Sequence, residues 1–306
     1  MSTLVFGHKS PDTDSTGSPI IWAWYLNEIK GVVAKPMLLG EPNTEALFVL
    51  EHWDLEKPEI LTELAADTQV VIVDTNNPAE LPDNINDADI TGIIDHHRLV
   101  SGLETRSPIE INIQPLACTA TIMYKMIGDD WAQAPRGVKG AALSCILSDT
   151  LEFRSPTTTQ EDRAVAEALA QDLDVDISEY AAAMFAAKSD VSAFSEEELL
   201  RMDSKEFDLA GTGLRVSVLE TTSPAPLLAR KDALMTAMPG VAEADGAAQV
   251  LLFIVDILKE EATLLVPNDM VKHIAEQSFG ADVSGDTVVL PGVMSRKKQI
   301  IPNLKM

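Results

Sequence analysis

Residues 3–14 read TLVFGHKSPDTD, in which a short apolar segment passes directly into a polar stretch that contains His8, Asp12 and Asp14. The apolar part, TLVFG, predicts a buried strand because it is short and continuously apolar. The residues HKSPDTDSTGS predict a loop, and the apolar run that begins at Pro19 predicts a helix. A strand, a polar loop and a helix in that order form the first half of a parallel βαβ unit.

The rest of the first half repeats this alternation of apolar strands and helical patterns. Parallel strands are buried on both faces, so they read as continuous apolar runs rather than alternating ones. We therefore predict an α/β fold with an N-terminal, Rossmann-like domain built on a parallel sheet. The further predicted strands are 33–39, 69–73, 90–94 and 109–113, and the predicted helices are 117–127 and 138–150.

After Thr150 the pattern becomes helical and then changes to a second group of strands. Thr158 and Glu161 have the spacing of a capping box in front of a helix at 160–171, and another helix is predicted at 178–188. The second group of strands predicts a smaller α+β domain with a mixed sheet of about three to five strands. In this part strands are predicted at 213–220, 248–257 and 262–266, and helices at 226–238 and 269–277.

The short polar stretch 189–195 predicts a linker between these two parts. We therefore expect a first domain at 1–188, which carries the chemistry, and a second domain at 196–306. The active site is expected in the cleft between them.

The composition of the 306-residue chain argues against two classes of partner. Its formal net charge is −25, whereas proteins that bind nucleic acids or anionic membranes present clustered Lys and Arg. The N-terminus has no basic segment followed by a long apolar one, so no secretion signal is expected and the predicted location is the cytoplasm. There Cys118 and Cys145 are expected to be free thiols, with one disulfide between them as the alternative.

Four short polar segments stand out in the first half of the chain. Three of them directly follow a predicted strand, and in open α/β sheets ligands bind beyond the carboxyl ends of the strands. The fourth contains Asp149 near the end of a predicted helix, which supplies another wall. We therefore expect these side chains to converge. The segments are HKSPDTD at 8–14, VDTN at 73–76, DHHR at 95–98 and LSDT at 147–150.

The residue types in these segments indicate a metal site. Carboxylates and imidazoles without a thiolate suit Mn, Mg or Co better than structural zinc. Asp74 and Asp149 are candidates to bridge two ions, and a pair of ions can hold a hydroxide between them. Taken singly, each Asp could instead cap a helix or form a turn, and each His could instead form a structural hydrogen bond. The adjacent pair His96 and His97 has little structural use, which favours the metal site.

The motif Asp95-His96-His97 resembles the one that names the DHH phosphoesterase superfamily. The other three polar segments are similar to further motifs of the same superfamily. Within that superfamily the chain resembles the family II, manganese-dependent inorganic pyrophosphatases over nearly its whole length. The segment SRKKQ at 295–299 is similar to the basic motif of that family.

This resemblance implies a role for each candidate residue. One metal ion would be bound by His8, Asp12, Asp74 and Asp149, and the other by Asp14, Asp74, His96 and Asp149. Asp74 and Asp149 would be shared and, with His97, catalytic. His97 would contact the substrate as a general acid, and Lys205, Arg296 and Lys297 would bind its phosphates.

The family further implies two resident Mn²⁺ ions, Co²⁺ as an alternative, Mg²⁺ that arrives with the substrate, and a homodimer paired through sheet edges of the first domain. The predicted reaction is hydrolysis of inorganic pyrophosphate to two phosphates by a hydroxide held between the two ions.

Three other functions remain open from the sequence. A related DHH phosphoesterase would act on short oligonucleotides, cyclic dinucleotides or polyphosphate, but usually carries a glycine-rich motif where this chain has its basic segment at 295–299. A non-catalytic metal- or phosphate-binding module would tolerate gaps among the ligand positions. A nucleotide-binding loop at 7–18 would need a different glycine spacing.

Overall fold

The computed structural model describes residues 2–209 and 211–305. The chain divides into two compact units, Met1–Ala187 and Lys188–Met306. The first unit contains a six-stranded sheet whose paired strands are all parallel, in the order β3-β2-β1-β4-β5-β6. Its strands are β1 (Thr3–Phe6), β2 (Ala34–Leu38), β3 (Glu59–Ile60), β4 (Gln69–Val73), β5 (Asp89–Asp95) and β6 (Glu110–Ile113).

The strand order creates a switch point between β1 and β4. From β1 the chain adds β2 and β3 on one side, and it then returns to add β4, β5 and β6 on the other. At such a point the loops that follow the two central strands run apart and leave a crevice. The helices of this unit are α1 (Thr13–Trp24), α2 (Thr44–His52), α3 (Thr119–Ile127), α4 (Arg136–Asp149), α5 (Gln160–Leu173) and α6 (Ile177–Lys188).

The first helix begins earlier than the sequence pattern predicts. We expected a helix from Pro19, but α1 begins at Thr13 and Pro19 lies inside it. Asp12 caps the helix by accepting a hydrogen bond from the Ser15 backbone N–H at 2.9 Å. An Asp at this position is a favourable helix cap, so the helix begins here although Pro19 removes one backbone hydrogen bond further along. Asp14 therefore lies in the first turn of a helix and not, as predicted, in a loop.

The capping box before α5 is displaced by one residue from its predicted position. The box is formed by Thr159 and Asp162, and not by Thr158 and Glu161. Asp162 is fully buried and also accepts a hydrogen bond from the Thr121 hydroxyl at 2.7 Å. A buried carboxylate with several donors determines the start of the helix more strongly than an exposed glutamate at the same spacing.

The second unit contains a mixed five-stranded sheet in the order β11-β10-β9-β8-β7. Strands β8 and β9 are parallel and the other pairs are antiparallel. The central strand β9 is buried along its whole length, with an apolar core on each side of the sheet. The strands are β7 (Ser204–Leu209), β8 (Thr212–Thr221), β9 (Gln249–Asp256), β10 (Glu261–Leu265) and β11 (Thr287–Pro291).

Two strands, one helix at Glu196–Met202 and one helix boundary of this unit were missed. The edge strand β7 has exposed polar positions, so no continuous apolar run marks it. The other edge strand, β11, contains the apolar residues Val288, Val289 and Leu290, but this run is short. The helix predicted at 226–238 is two helices with a break before Lys231. The helices are α7 (Glu196–Met202), α8 (Ala225–Leu228), α9 (Lys231–Ala244) and α10 (Asp269–Phe279).

The prediction for the two cysteines also has an outcome. Cys118 and Cys145 are buried free thiols. Within residues 2–209 and 211–305, no helix combines the length and the apolar character that a membrane crossing requires.

Candidate metal centre

Asp74 lies between two histidines at the carboxyl ends of the central strands. Its Oδ2 atom is 3.5 Å from Nε2 of His8, which follows β1. Its Oδ1 atom is 3.3 Å from Nε2 of His96, which follows β5. Asp74 itself follows β4 and is only 2 % exposed. One carboxylate therefore presents its two oxygens to two imidazoles on opposite sides.

The start of α1 brings two further carboxylates to this point. Asp12 directs Oδ2 to within 3.7 Å of Nε2 of His8, while its other oxygen caps the helix. Asp14 accepts hydrogen bonds from the Ser18 hydroxyl at 2.6 Å and from the Thr119 backbone N–H at 2.8 Å. A helix N-terminus favours negative charge, so α1 stabilises both side chains in this position.

Asp149, the last residue of α4, completes the cluster. Its Oδ2 atom is buried and has no hydrogen-bond partner among the described residues. Such an atom requires a partner of another kind, because a buried oxygen without one is costly. The ligand atoms of Asp14, His96 and Asp149 lie within 4.8 Å of one another, as do those of His8, Asp12 and Asp74. The structure thus brings together all six residues predicted to bind metal.

Crowding of acidic groups makes this cluster unfavourable without cations. Burial raises the pKa of Asp74 well above its usual range, and the charges of Asp14, Asp12 and Asp149 raise it further. Burial and the charges of Asp14 and Asp12 likewise raise the pKa of Asp149 well above its usual range. Divalent cations would offset the repulsion among these carboxylates, so the donor set and its electrostatics both fit a metal site.

His97 differs from the other two histidines in its exposure. Its side chain is 53 % exposed, and its Nδ1 atom lies 2.9 Å from Oδ1 of Asp95. That hydrogen bond raises the pKa of His97 above its ordinary value, although burial opposes the rise. His97 also lies close enough to Asp74 and His96 to be a ligand itself. Its orientation is set by Asp95, the first residue of the DHH motif.

Asp95 organises the turn that carries both histidines. It is fully buried and accepts hydrogen bonds from the backbone N–H groups of His96 and His97 at 2.8 and 3.0 Å. The Asn76 side-chain amide donates a further bond to it. Burial raises the pKa of Asp95, but these hydrogen bonds outweigh burial and the net shift is downward. A carboxylate that stays ionised here keeps the turn closed.

Sequence reasoning missed several residues that support the ligands. The Thr119 hydroxyl lies 3.3 Å from Oδ1 of Asp74, and its backbone N–H binds Asp14. Ser18 and Asn76 bind Asp14 and Asp95. A Ser or Thr four residues after an Asp on a helix is a weak signal that would have found Ser18. Thr119 is brought to the site by the fold, and its position at the start of a helix is the only local signal.

A separate group of cations lies in the second unit. Lys205 on β7 and the pair Arg296 and Lys297 line a depression of about 640 Å³. Arg296 is fixed by Asp203, whose Oδ1 atom lies 2.7 Å from its Nη2 atom and whose carbonyl accepts a bond of 2.8 Å. Near Lys205 in the sequence, Asp203 pairs with Arg296 and Glu206 pairs with Arg215. The three cations predicted to bind phosphate therefore lie around one depression.

Comparison with known proteins covers both units. The model of the DHH family N-terminal domain matches residues 2–148, and that of the DHHA2 domain matches residues 182–306. A relative from Deinococcus radiodurans and one from Lactobacillus helveticus are both named "Probable manganese-dependent inorganic pyrophosphatase". They are 40 % identical over 306 residues and 37 % identical over 303 residues, and each alignment covers 98 % of this chain and 97 % of the relative.

A solved structure extends the similarity to three dimensions. It is described as the crystal structure of a "Methanococcus jannaschii putative family II inorganic pyrophosphatase". It is 32 % identical to this chain, with a TM-score of 0.62, and the match covers 99 % of this chain and 98 % of the other.

Proposed function

Since the chain belongs to the manganese-dependent, family II inorganic pyrophosphatases of the DHH superfamily, we propose that it hydrolyses inorganic pyrophosphate to two phosphates. The observation that carries this proposal is the convergence of two triads, His8, Asp12 and Asp74 with Asp14, His96 and Asp149, at the switch point of the sheet.

The two triads support a pair of Mn²⁺ ions, with Co²⁺ as a substitute. One ion would be held by His8, Asp12, Asp74 and Asp149, and the other by Asp14, Asp74, His96 and Asp149. When bound, the ions supply Lewis acidity that activates a water molecule and positive charge that stabilises phosphate, to which Mg²⁺ bound with the substrate would add. Asp74 and Asp149 would be shared, since each lies close to residues of both sets.

His97 is proposed to contact the substrate and to give a proton to the departing phosphate. Three features support this role: its half-exposed ring, its hydrogen bond to Asp95 and a raised pKa that favours its protonated form. A general acid positioned in this way contributes about 10²–10⁴-fold to a rate.

Lys205, Arg296 and Lys297 are proposed to bind the phosphate groups. Arginine binds phosphate through two parallel hydrogen bonds, whereas lysine acts as a point charge. Because the chain carries a net charge of −25, its highly anionic substrate requires such a local positive field. We further propose that the residues 189–195 act as a linker between the domains 1–188 and 196–306.

We further propose a homodimer paired through first-domain sheet edges, as the family resemblance implies. A cytoplasmic location is proposed as well, which fits the two free thiols of Cys118 and Cys145.

The deciding experiment measures phosphate release from pyrophosphate after removal and return of the metal. Chelation should abolish the release, and addition of Mn²⁺ should restore it. A parallel panel with a dinucleotide and long-chain polyphosphate tests the related phosphoesterases. Faster turnover of either of these substrates than of pyrophosphate, or activity that survives full chelation, would overturn the proposal.

A further inference from the structure

The proposed metal ligands come from segments that are far apart in the chain, so their spacing has to be held by tertiary contacts. Asp12 and Asp14 belong to the start of α1, whereas Asp149 ends α4. The two helices approach closely: a Cβ atom at Gly17 would lie 2.5 Å from Sγ of Cys145. The part of the fold that holds their two ends in register is therefore important for the metal centre.

Glu45 on α2 connects these two ends. It is fully buried, and its Oε1 atom accepts a hydrogen bond of 2.6 Å from the Thr13 hydroxyl. The same oxygen accepts a short hydrogen bond from the Ser148 hydroxyl. Thr13 lies between Asp12 and Asp14, and Ser148 directly precedes Asp149. One oxygen atom thus joins the two segments that supply three of the proposed ligands.

The position of Glu45 favours a buried negative charge. Asn43 caps α2 by accepting a bond from the Ala46 backbone N–H, so Glu45 lies in the first turn of the helix. The N-terminus of a helix stabilises an anion, and hydrogen bonds to a charged acceptor are shorter and stronger than neutral ones. A carboxylate at this position is therefore a strong acceptor for the two hydroxyl groups.

The other end of α2 is fixed on the same face of α4. Trp53, at the C-terminus of α2, donates from Nε1 to the Ser144 hydroxyl at 3.1 Å. Its ring lies against Gly140, where a Cβ atom would be only 2.0 Å from Cδ2 of Trp53. Gly140, Ser144 and Ser148 are spaced by four residues and so share one face of α4. Trp53 therefore fixes the C-terminal end of α2 against α4, at the end of the helix opposite to Glu45.

We propose that Glu45 is a positioning residue of the metal centre, which sets the distance between the Asp12–Asp14 pair and Asp149 through Thr13 and Ser148. This inference rests on the proposed function, because it presupposes that these carboxylates bind metal ions. Glu45 itself contacts the neighbours of the ligands and acts through them. Supporting groups of this kind typically change metal affinity about 10–100-fold when they are removed.

The test measures Mn²⁺ affinity by calorimetric titration of the chelated full-length protein, together with the unfolding temperature of the metal-free form. Ser148→Ala keeps the charge of Glu45 but removes one hydrogen bond, and its control Ser144→Ala removes a hydroxyl from the same face of the same helix. We expect Ser148→Ala to weaken Mn²⁺ binding by about tenfold. Ser144→Ala should lower the unfolding temperature and leave the affinity within twofold of the unaltered protein.

A second pair of variants tests the hydrogen bond between Thr13 and Glu45. Thr13→Val removes the hydroxyl at nearly constant shape, whereas Thr13→Ser keeps it. We expect the serine variant to bind Mn²⁺ more tightly than the valine variant. Glu45→Gln removes the charge but keeps the shape of the side chain, so it separates the two contributions to Mn²⁺ affinity. Glu45→Ala removes both hydrogen bonds and should weaken Mn²⁺ binding most among the variants that fold.

The outcomes distinguish this inference from the proposed function. If the unaltered protein binds no Mn²⁺, the proposed function fails. If it binds Mn²⁺ and the affinities of Ser148→Ala and Thr13→Val equal those of Ser144→Ala and Thr13→Ser, the positioning role of Glu45 is overturned while the metal centre stands.

Discussion

Asp74 occupies a backbone conformation that most residues avoid. Its φ is 56°, in the left-handed region, where Asn and Asp are the side chains that occur most often besides glycine. This conformation turns the carboxylate between His8 and His96 directly after β4. At the scale of a single residue, backbone conformation and the proposed ligand role therefore select the same small set of side chains.

The first prediction concerns the number of metal ions that depend on Asp74. Asp74→Asn keeps a side chain that tolerates the left-handed backbone but removes the negative charge proposed to be shared. We expect both Mn²⁺ ions to be lost at metal concentrations that saturate the unaltered protein. Metal analysis after gel filtration, with circular dichroism to check the fold, measures this. Retention of one ion at full affinity would show that Asp74 does not bridge the pair.

The second prediction concerns the metal-free protein. Because the pKa of Asp149 is raised in the folded state, the folded protein binds a proton more tightly there than the unfolded chain does. The metal-free protein should therefore become more stable as the pH falls from neutral through the raised pKa towards about 4, the ordinary carboxyl value. Asp149→Asn should raise the neutral-pH unfolding temperature of the chelated protein by about 2–4 °C.

Thermal unfolding with and without Mn²⁺, across this pH range, checks the prediction. The same variant should lose most of the stabilisation that Mn²⁺ gives, since a ligand stabilises only the state that binds it. A chelated Asp149→Asn protein that unfolds at a lower temperature than the unaltered one would contradict the electrostatic argument.

At the scale of the elements, the contact between α2 and α4 depends on small residues. Trp53 packs where Gly140 has no side chain, and its indole N–H is bound by both Ser144 and Tyr180. Helix interiors normally gain about 1 kcal/mol when alanine replaces glycine. Whether alanine at position 140 raises or lowers the unfolding free energy therefore tests the close contact between Trp53 and Gly140.

Gly140→Ala and Gly240→Ala form a matched pair for this test. A Cβ atom at Gly140 would overlap the Trp53 ring, so we expect a loss of about 1–3 kcal/mol in unfolding free energy. Gly240 lies inside α9 with open space around its Cα atom, so the same change should stabilise by about 1 kcal/mol. Denaturant unfolding measures both. Equal effects at the two positions would contradict the packing of α2 on α4.

A strand or helix could be predicted from the sequence where the residues that it buries form a recognisable apolar pattern. The strands β1, β4 and β5 are mostly apolar, so they could be located in the sequence, together with the polar segments that follow them. The edge strand β7 was missed because its sequence is largely polar and pairing with a neighbour stabilises it. The edge strand β11 was missed although Val288 and Leu290 pack in the core, because its apolar run is only three residues long. The start of α1 was misplaced because proline normally marks the first turn of a helix.

The site was predictable only where a residue type carries chemistry by itself. All six ligand candidates are Asp or His in recognisable segments, and they do converge. Glu45 and Thr119 gave no such signal. An acidic residue in the first turn of a helix usually faces solvent, yet Glu45 is fully buried, and only tertiary packing brings it to Thr13 and Ser148.

At the scale of the whole molecule, the net charge is negative, whereas three cations line one surface of the second unit. A net charge of −25 repels an anionic substrate at long range, and salt screens this repulsion beyond about 10 Å. Attraction must then come from short-range contacts at cations that line a binding surface. The depression in the second unit places Lys205, Arg296 and Lys297 on one surface, whereas Lys298 is not among the residues that line it.

The last prediction uses Lys297 and Lys298 as neighbours with the same charge. Lys297→Ala should lower kcat/KM for pyrophosphate by about 10–100-fold, because a hydrogen bond to a charged group contributes about 1.5–3 kcal/mol. Lys298→Ala changes the net charge equally but should have little effect, and both variants should bind Mn²⁺ normally. Arg296→Ala is expected to act like Lys297→Ala, although it also breaks the contacts with Asp203. Steady-state kinetics and metal analysis of each purified variant decide the matter. Equal losses in the two lysine variants would mean that only overall charge matters, and a loss of Mn²⁺ in Lys297→Ala would contradict the separation of metal binding from phosphate binding.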